Sequence, residues 1–510
     1  MKNKLKILFL YLFSLYVVFI SAALASEKVR LSFTVSMEEP DNHIYQVGLL
    51  CEGIEDDTVD FKMPSWTPGY YRVLDFAQNV RDFYAEDQRG RALVWEKKGG
   101  NVWHVETGDA KNIALRYQVY ASGRGVAESS LDTNRGYISP AGVFLYIFGK
   151  LDLPVTVTIK PYKNFGQIST GLDAVKGKEN TYHAKNFDRL YDCPIFVDNQ
   201  EVFSFTFSGK EHRVAIYKPE DIDKEKLVSV LKRMVRAAVS IVGEIPYDHY
   251  TFIMMGPGMG GLEHANSMAV FTEMPDLEEP QQYNRWLSFI AHEFFHLYNV
   301  KSIRPIALGP FDYDGENRTN MLWLSEGGTV YYEYIILNRA EFMSRDDVLD
   351  RFSGVIKSYE LSPANKTMPV AQASFDTWTL PFFGGDETIS YYDKGAGLCL
   401  LLDLKIRHET KNKKSLDDVM RECYRKYFKN LKRGFTDDEF QKMCEETAGC
   451  SLEEFFDYVY TTKAIDYGKY LGYAGLKIKI TDEGEEGSVL IKKIDNPDAL
   501  QKKIFDNWLN

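Results

Sequence analysis

Along the first part of the chain, apolar and polar residues alternate with a period of two. VRLSFTV, HIYQVGLL, IALRYQVY, VTVTIK, VFSFTF and HRVAIY all lie between residues 29 and 218 and mix β-branched with aromatic residues, the pattern of strands with one buried face. Turn-forming clusters such as Pro64-Ser65-Trp66-Thr67-Pro68-Gly69 separate them. The pattern predicts a mostly antiparallel N-terminal β-domain. Near residue 220 the period changes: Leu227, Leu231, Met234, Ala238, Ile241 and Val242 recur at helical spacing and predict an amphipathic helix that starts a second domain. A strand over Thr251 to Met255, a glycine-rich loop from Gly256 to Gly261 and an extended run from Ser267 to Phe271 follow. Helical patterning then dominates to about residue 463, and LKIKI and SVLIKKI return to short strand-like runs near the end.

Helix starts are marked locally. Thr436 and Glu439 form a capping-box pair, with Phe435 and Phe440 as its hydrophobic staple. Ser415 with Asp418, and Ser451 with Glu454, repeat the capping pattern more weakly.

Composition narrows the function classes. The chain has 45% hydrophobic and 14% aromatic residues and a formal charge of −12, as expected of a globular protein and not of a nucleic-acid binder. Three lysines precede the apolar run from Ile7, which ends in the small-x-small pattern Ala23-Leu24-Ala25, so residues 1–25 read as a signal peptide. A membrane anchor is the competing reading, because the run approaches the length of a span. Export to a periplasm or to the outside of the cell is the expectation, with no stable membrane span after cleavage. The six cysteines are too few and too scattered for a disulfide framework; Cys444 and Cys450 remain an open pair, and the oligomeric state is not encoded legibly.

The sharpest chemistry is in IAHEFFHLYNV, residues 290–300. The surrounding apolar run predicts a buried helix, on which His292 and His296 share a face. Two imidazoles at that spacing can bind one Zn²⁺, and Glu293, one step around, can contact a water on the open metal position. A third ligand is required. Glu326, in NMLWLSEGGTVYYEYI, stands among Trp323, Leu324, Val330 and Tyr331, where an unpaired carboxylate would be costly to bury; Glu333 is the fallback.

The segment from His292 through Pro305 (HEFFHLYNVKSIRP), followed by WLSEG at 323–327, resembles the glycyl aminopeptidase family of zinc metallopeptidases, within the glutamate-zincins that include the aminopeptidase N family. MPSWTPGY at 63–70, GGLEH at 260–264, SYYDKGA at 390–396 and residues 467–476 resemble further family segments and stand in the expected order. The resemblance implies a multidomain α+β fold. A signal peptide (1–25) precedes an N-terminal antiparallel β-domain (26–218). A thermolysin-like, mainly helical zinc peptidase domain (219–465) and a short C-terminal extension (466–510), too short for the complete PDZ domain common in the family, follow. It also implies one Zn²⁺ per chain and a peptide substrate with a small first residue. By the same resemblance Glu263 anchors the substrate's α-amine, Gly260 and Gly261 admit the peptide backbone, and Tyr392, with Tyr391 as rival, donates to the oxyanion. Two other functions stay open: a zinc endopeptidase of the same fold, and a non-catalytic zinc-containing peptide-binding protein. The Trp66, Pro68, Gly69, Tyr70 cluster reads as a turn with aromatic packing, and the N-terminal domain shows no catalytic constellation.

Overall fold

A computed structural model describes residues 29–509 apart from 220–221, 277 and 482–486. The expected signal peptide therefore lies outside the described residues. The alternating runs form the strands expected. Arg30–Ser36 pairs antiparallel with Ile44–Glu52, which pairs antiparallel with Asn112–Tyr120, inside a seven-stranded sheet. One pair departs from the antiparallel rule: Arg30–Ser36 runs parallel to Val155–Lys160. Their inward residues, Leu31, Phe33, Val35, Val47, Leu49, Leu115 and Val157, make the core of the N-terminal domain.

The strands expected to end that domain belong to the next sheet. Glu201–Phe207 and Lys210–Ile216 form a hairpin whose second strand pairs parallel with His249–Met254, then Ser267–Val270, with Gly261–Glu263 antiparallel at the edge. The alternating pattern of these strands is indistinguishable from that of their predecessors, so a change of sheet leaves no mark in it. The helix Lys224–Val242 covers this sheet with Leu227, Leu231, Met234 and Ile241 buried. The motif helix Pro280–Phe295 and the helices Gly328–Arg339 and Tyr391–Glu409 complete the mainly helical second domain.

The local helix signals divide. Thr436 and Glu439 form the reciprocal capping box, and Phe435 stacks on Phe440 at 5.5 Å. Asp418 accepts from the Ser415 amide at 2.9 Å. Ser451 and Glu454 form no such box: the helix starts at Glu453, and Glu454 pairs with Lys469 at 2.7 Å. The end of the chain holds a hairpin, Leu476–Thr481 with Ser488–Lys493, and a helix, Ala499–Trp508, that was not expected. Its Trp508 is buried and donates to the Tyr331 hydroxyl at 3.2 Å, which fastens the extension to the helix Gly328–Arg339. All six cysteines are free thiols, Cys444 and Cys450 included. Among the described residues no helix is long and apolar enough to cross a membrane.

Candidate metal centre and substrate cleft

The motif helix ends at Phe295, so His292 sits in its last turn and His296 caps it. Each imidazole is oriented through its far nitrogen. His296 Nδ1 donates to the Asn299 carbonyl at 2.8 Å, and His292 Nδ1 lies 3.2 Å from the Glu333 carboxylate, whose other oxygen accepts from the Ser288 hydroxyl. Both Nε2 atoms consequently face one point, 3.0 Å apart. Glu333, the fallback ligand, contacts the far nitrogen of His292 and stands outside the cluster of His292, His296 and Glu326 that could hold a metal ion.

Glu326 reaches the same point from a π-helical turn, Trp323–Gly327, that opens into the helix Gly328–Arg339. Its Oε2 is 3.3 Å from His296 Nε2 and 3.7 Å from His292 Nε2. Asn299 ties the two segments together by donating to the Leu324 and Ser325 carbonyls at 2.8 and 3.1 Å. A tetrahedral Zn²⁺ with ligand bonds of about 2.0–2.1 Å separates its ligands by about 3.3 Å, and the observed separations bracket that spacing. The donor set fits zinc. Electrostatics agree: burial opposes charge at His292, yet the Glu326 and Glu333 carboxylates lift its pKa to about 10. Burial would likewise raise Glu326, but the two imidazoles hold it well below the usual carboxylate range.

Glu293 is buried beside this cluster, with Oε2 unpartnered. Burial pushes its carboxyl up to about 7, although both imidazoles pull the other way. The edge strand passes directly against it, since a Cβ at Gly261 would collide with the Glu293 carboxylate. That contact explains the glycine. Gly260, at φ +92°, turns the chain into the strand with Val126 of the N-terminal domain 3.2 Å from where its Cβ would be. Two positions on, Glu263 is 4% exposed with Oε1 lacking a hydrogen bond, and Lys301 Nζ stands 3.8 Å away. Lys301 also pairs with Asp192 of the N-terminal domain at 3.1 Å.

Tyr391 and Tyr392 differ plainly. The Tyr391 hydroxyl is buried against Thr377 Oγ1 at 2.8 Å, whereas the Tyr392 ring stacks beside His292 with centroids 6.2 Å apart. Burial, with Glu326 nearby, keeps Tyr392 well above the usual phenol pKa, so it stays a proton donor. Gly395 allows the helix carrying it to pack onto the ligand turn, where any Cβ would strike the Trp323 carbonyl.

The N-terminal domain, whose sequence shows no catalytic constellation, reaches the cluster. Tyr71 donates to Glu326 Oε1 at 3.0 Å, which leaves Oε2 for the histidine side. Gly69, at φ +94°, is so close that a Cβ would sit 2.8 Å from both Glu263 oxygens. Trp66 anchors the segment by donating to the Asp312 carbonyl at 2.8 Å and packing edge-on to Trp378 at 4.9 Å. Trp66 and Tyr71 belong to the catalytic domain's core, not to that of their own domain.

Two family models match the chain, the peptidase M61 N-terminal domain over residues 32–199 and the M61 glycyl aminopeptidase domain over 285–398, together more than half of it. The chain belongs to the M61 glycyl aminopeptidase family. It is a metallopeptidase. This M61 peptidase shares its fold with an aminopeptidase N family protein of Idiomarina loihiensis, at 24% identity and a TM-score of 0.83 over 90% of this chain and 81% of that one. It is also similar to an M1 zinc metallopeptidase of Deinococcus radiodurans bound to a Tyr-Ser-Ala substrate (14% identity, TM-score 0.55, 86% and 94% covered). Aminopeptidase A of Legionella pneumophila, in complex with aspartic acid, is a third likeness (12% identity, TM-score 0.53, 92% and 56% covered). No curated protein matches the chain.

Proposed function

We propose that this M61 peptidase binds one zinc through His292, His296 and Glu326 and removes small first residues, glycine or alanine, from peptides. The observation that carries the reading is Glu263: a buried carboxylate with an oxygen that accepts no hydrogen bond and has only Lys301 at 3.8 Å, on a sheet edge that runs past Glu293. Such an edge suits an extended peptide added as a further strand, and the carboxylate suits its terminal ammonium. Fixing the amine there lets only the first peptide bond reach the metal cluster. Gly69 and Tyr71 crowd Glu263 and Glu326 from the N-terminal side, which supports a small first side chain. The peptide and amino acid held by the Deinococcus and Legionella proteins are of the same substrate class.

Zinc, when bound, acidifies a water and polarises the scissile carbonyl. Glu293 then takes the water's proton and passes it to the leaving amine, while the Tyr392 hydroxyl donates to the developing oxyanion. A non-catalytic metal site would need neither group, and the unpartnered Glu293 oxygen has no structural work of its own. Replacement Glu263→Ala tests the reading. Cleavage of a free-amine glycyl peptide should fall roughly 100-fold in kcat/KM, and unchanged cleavage would make the enzyme an endopeptidase. For localisation we propose export, resting on residues 1–25; a mature protein beginning at Ser26 is the expected finding, and one retaining Met1 would refute it.

A further inference from the structure

Two buried carboxylates share one lysine where the N-terminal domain meets the edge strand. Lys301 follows the motif helix, and its side chain is only 10% exposed. Its Nζ lies 3.1 Å from Asp192 Oδ1 and 3.8 Å from Glu263 Oε1. The first separation is a hydrogen bond, and the second is an ion pair too long to be one. Asp192 closes the short helix Phe187–Tyr191 of the N-terminal domain and also grips the chain just beyond Glu263. Its Oδ2 accepts from the Ala265 amide at 2.9 Å, and its Oδ1 lies 3.4 Å from His264 Nδ1. Burial opposes charge on both partners, yet Asp192 and Glu263 lift the Lys301 pKa, while Lys301, His264 and Arg189 hold Asp192 well below the usual carboxylate range.

This sharing bears on the amine site. Lysine carries a compact charge with three donors, and a buried carboxylate oxygen without a hydrogen bond would ordinarily draw it in. Direct contact would occupy the Glu263 oxygen that accepts no hydrogen bond, the one an incoming ammonium needs. Asp192 offers the competing carboxylate. By taking the Lys301 hydrogen bond it leaves Glu263 with a positive charge nearby and an open acceptor.

We propose that Asp192 is a positioning residue of the amine site, which holds Lys301 off Glu263 and so keeps the Glu263 oxygen open to the substrate ammonium. The proposal rests on Glu263 being the amine anchor. Steady-state kinetics of the zinc-loaded protein on a glycyl peptide test it. Asp192→Asn keeps an acceptor for the Ala265 amide and drops the charge, so it should raise KM for the free-amine peptide about tenfold with kcat little changed. Adding Lys301→Met removes the competitor, and the double variant should match Lys301→Met alone within about twofold. An unchanged KM in Asp192→Asn overturns the proposal, as does a rise that persists in the double variant, because Asp192 would then act through the fold. If the unaltered protein cleaves the acetylated peptide as well as the free one, Glu263 is no anchor and the proposal falls with it, an outcome separate from either variant result. If Asp192→Asn does not fold, a crystal structure of the unaltered protein with glycinamide decides. The glycinamide ammonium is expected within about 3.2 Å of Glu263 with Lys301 Nζ still on Asp192. Nζ seated on Glu263, or no amine beside that carboxylate, overturns the assignment.

Discussion

Two stretches of chain meet at the metal cluster by different means. His292, Glu293 and His296 are brought there by the rise and turn of one helix, a local geometry that needs only five residues. Residues 66–72 arrive by tertiary packing: Tyr71 lies 255 positions from the Glu326 it bonds, held by the burial of Trp66 against Trp378 and Phe311. Local geometry places the groups proposed to do the chemistry, and the distant segment bonds Glu326 and closes on Glu263. Losing the first should abolish function, whereas losing the second should tune it.

The sharpest contrast is therefore between Glu293→Gln and Tyr71→Phe. The first should lower kcat about 1,000-fold with zinc content unchanged by elemental analysis. The second removes only the hydroxyl on Glu326 and should weaken zinc retention about tenfold, read by competition with a chelator; a loss as deep as that of Glu293→Gln would erase the distinction. Next comes Gly69→Ala, which sets a methyl against Glu263 and strains a left-handed backbone by about 1–2 kcal/mol. It should raise KM several-fold for free-amine glycyl peptides with kcat little changed. A fall in kcat at unchanged KM would show that Gly69 does not shape the space around the substrate amine.

The smallest effect is expected at Asp198, on the last strand before the chain enters the second sheet. This carboxyl is fully buried and burial raises it to about 7. An acid whose folded pKa exceeds its unfolded value of about 3.9 favours the fold at low pH, and stability then falls as pH rises between the two values. Asp198→Asn should thus raise Tm progressively from pH 4 to 7 and by a constant amount above. A Tm gain independent of pH would contradict the assignment.

What is legible in the chain follows the same division. The clustering of the motif histidines with the buried Glu326 can be read because helical spacing and an acid in an apolar run are local signals. The helix starting at Thr436 is readable for the same reason. Lys301, Asn299 and Tyr71 escape, since their roles depend on contacts with Asp192, Leu324 and Glu326 that no short window contains. Asn299 did leave a trace, a lone amide in an apolar stretch that must find partners when buried. Gly69 left another, a glycine between a proline and two tyrosines, but only the fold shows that the missing side chain makes room for Glu263. That the hairpin 201–216 pairs into the sheet of 249–270 was not legible, because strand periodicity records a face and not a sheet.

The most direct test of the account is hydrolysis of one glycyl peptide by the zinc-loaded protein, offered with its amine free or acetylated. The arrangement around Glu263 predicts cleavage of the free form alone, after its first residue. Comparable cleavage of both forms would leave the metal cluster standing and contradict the amine anchor on which the aminopeptidase reading rests.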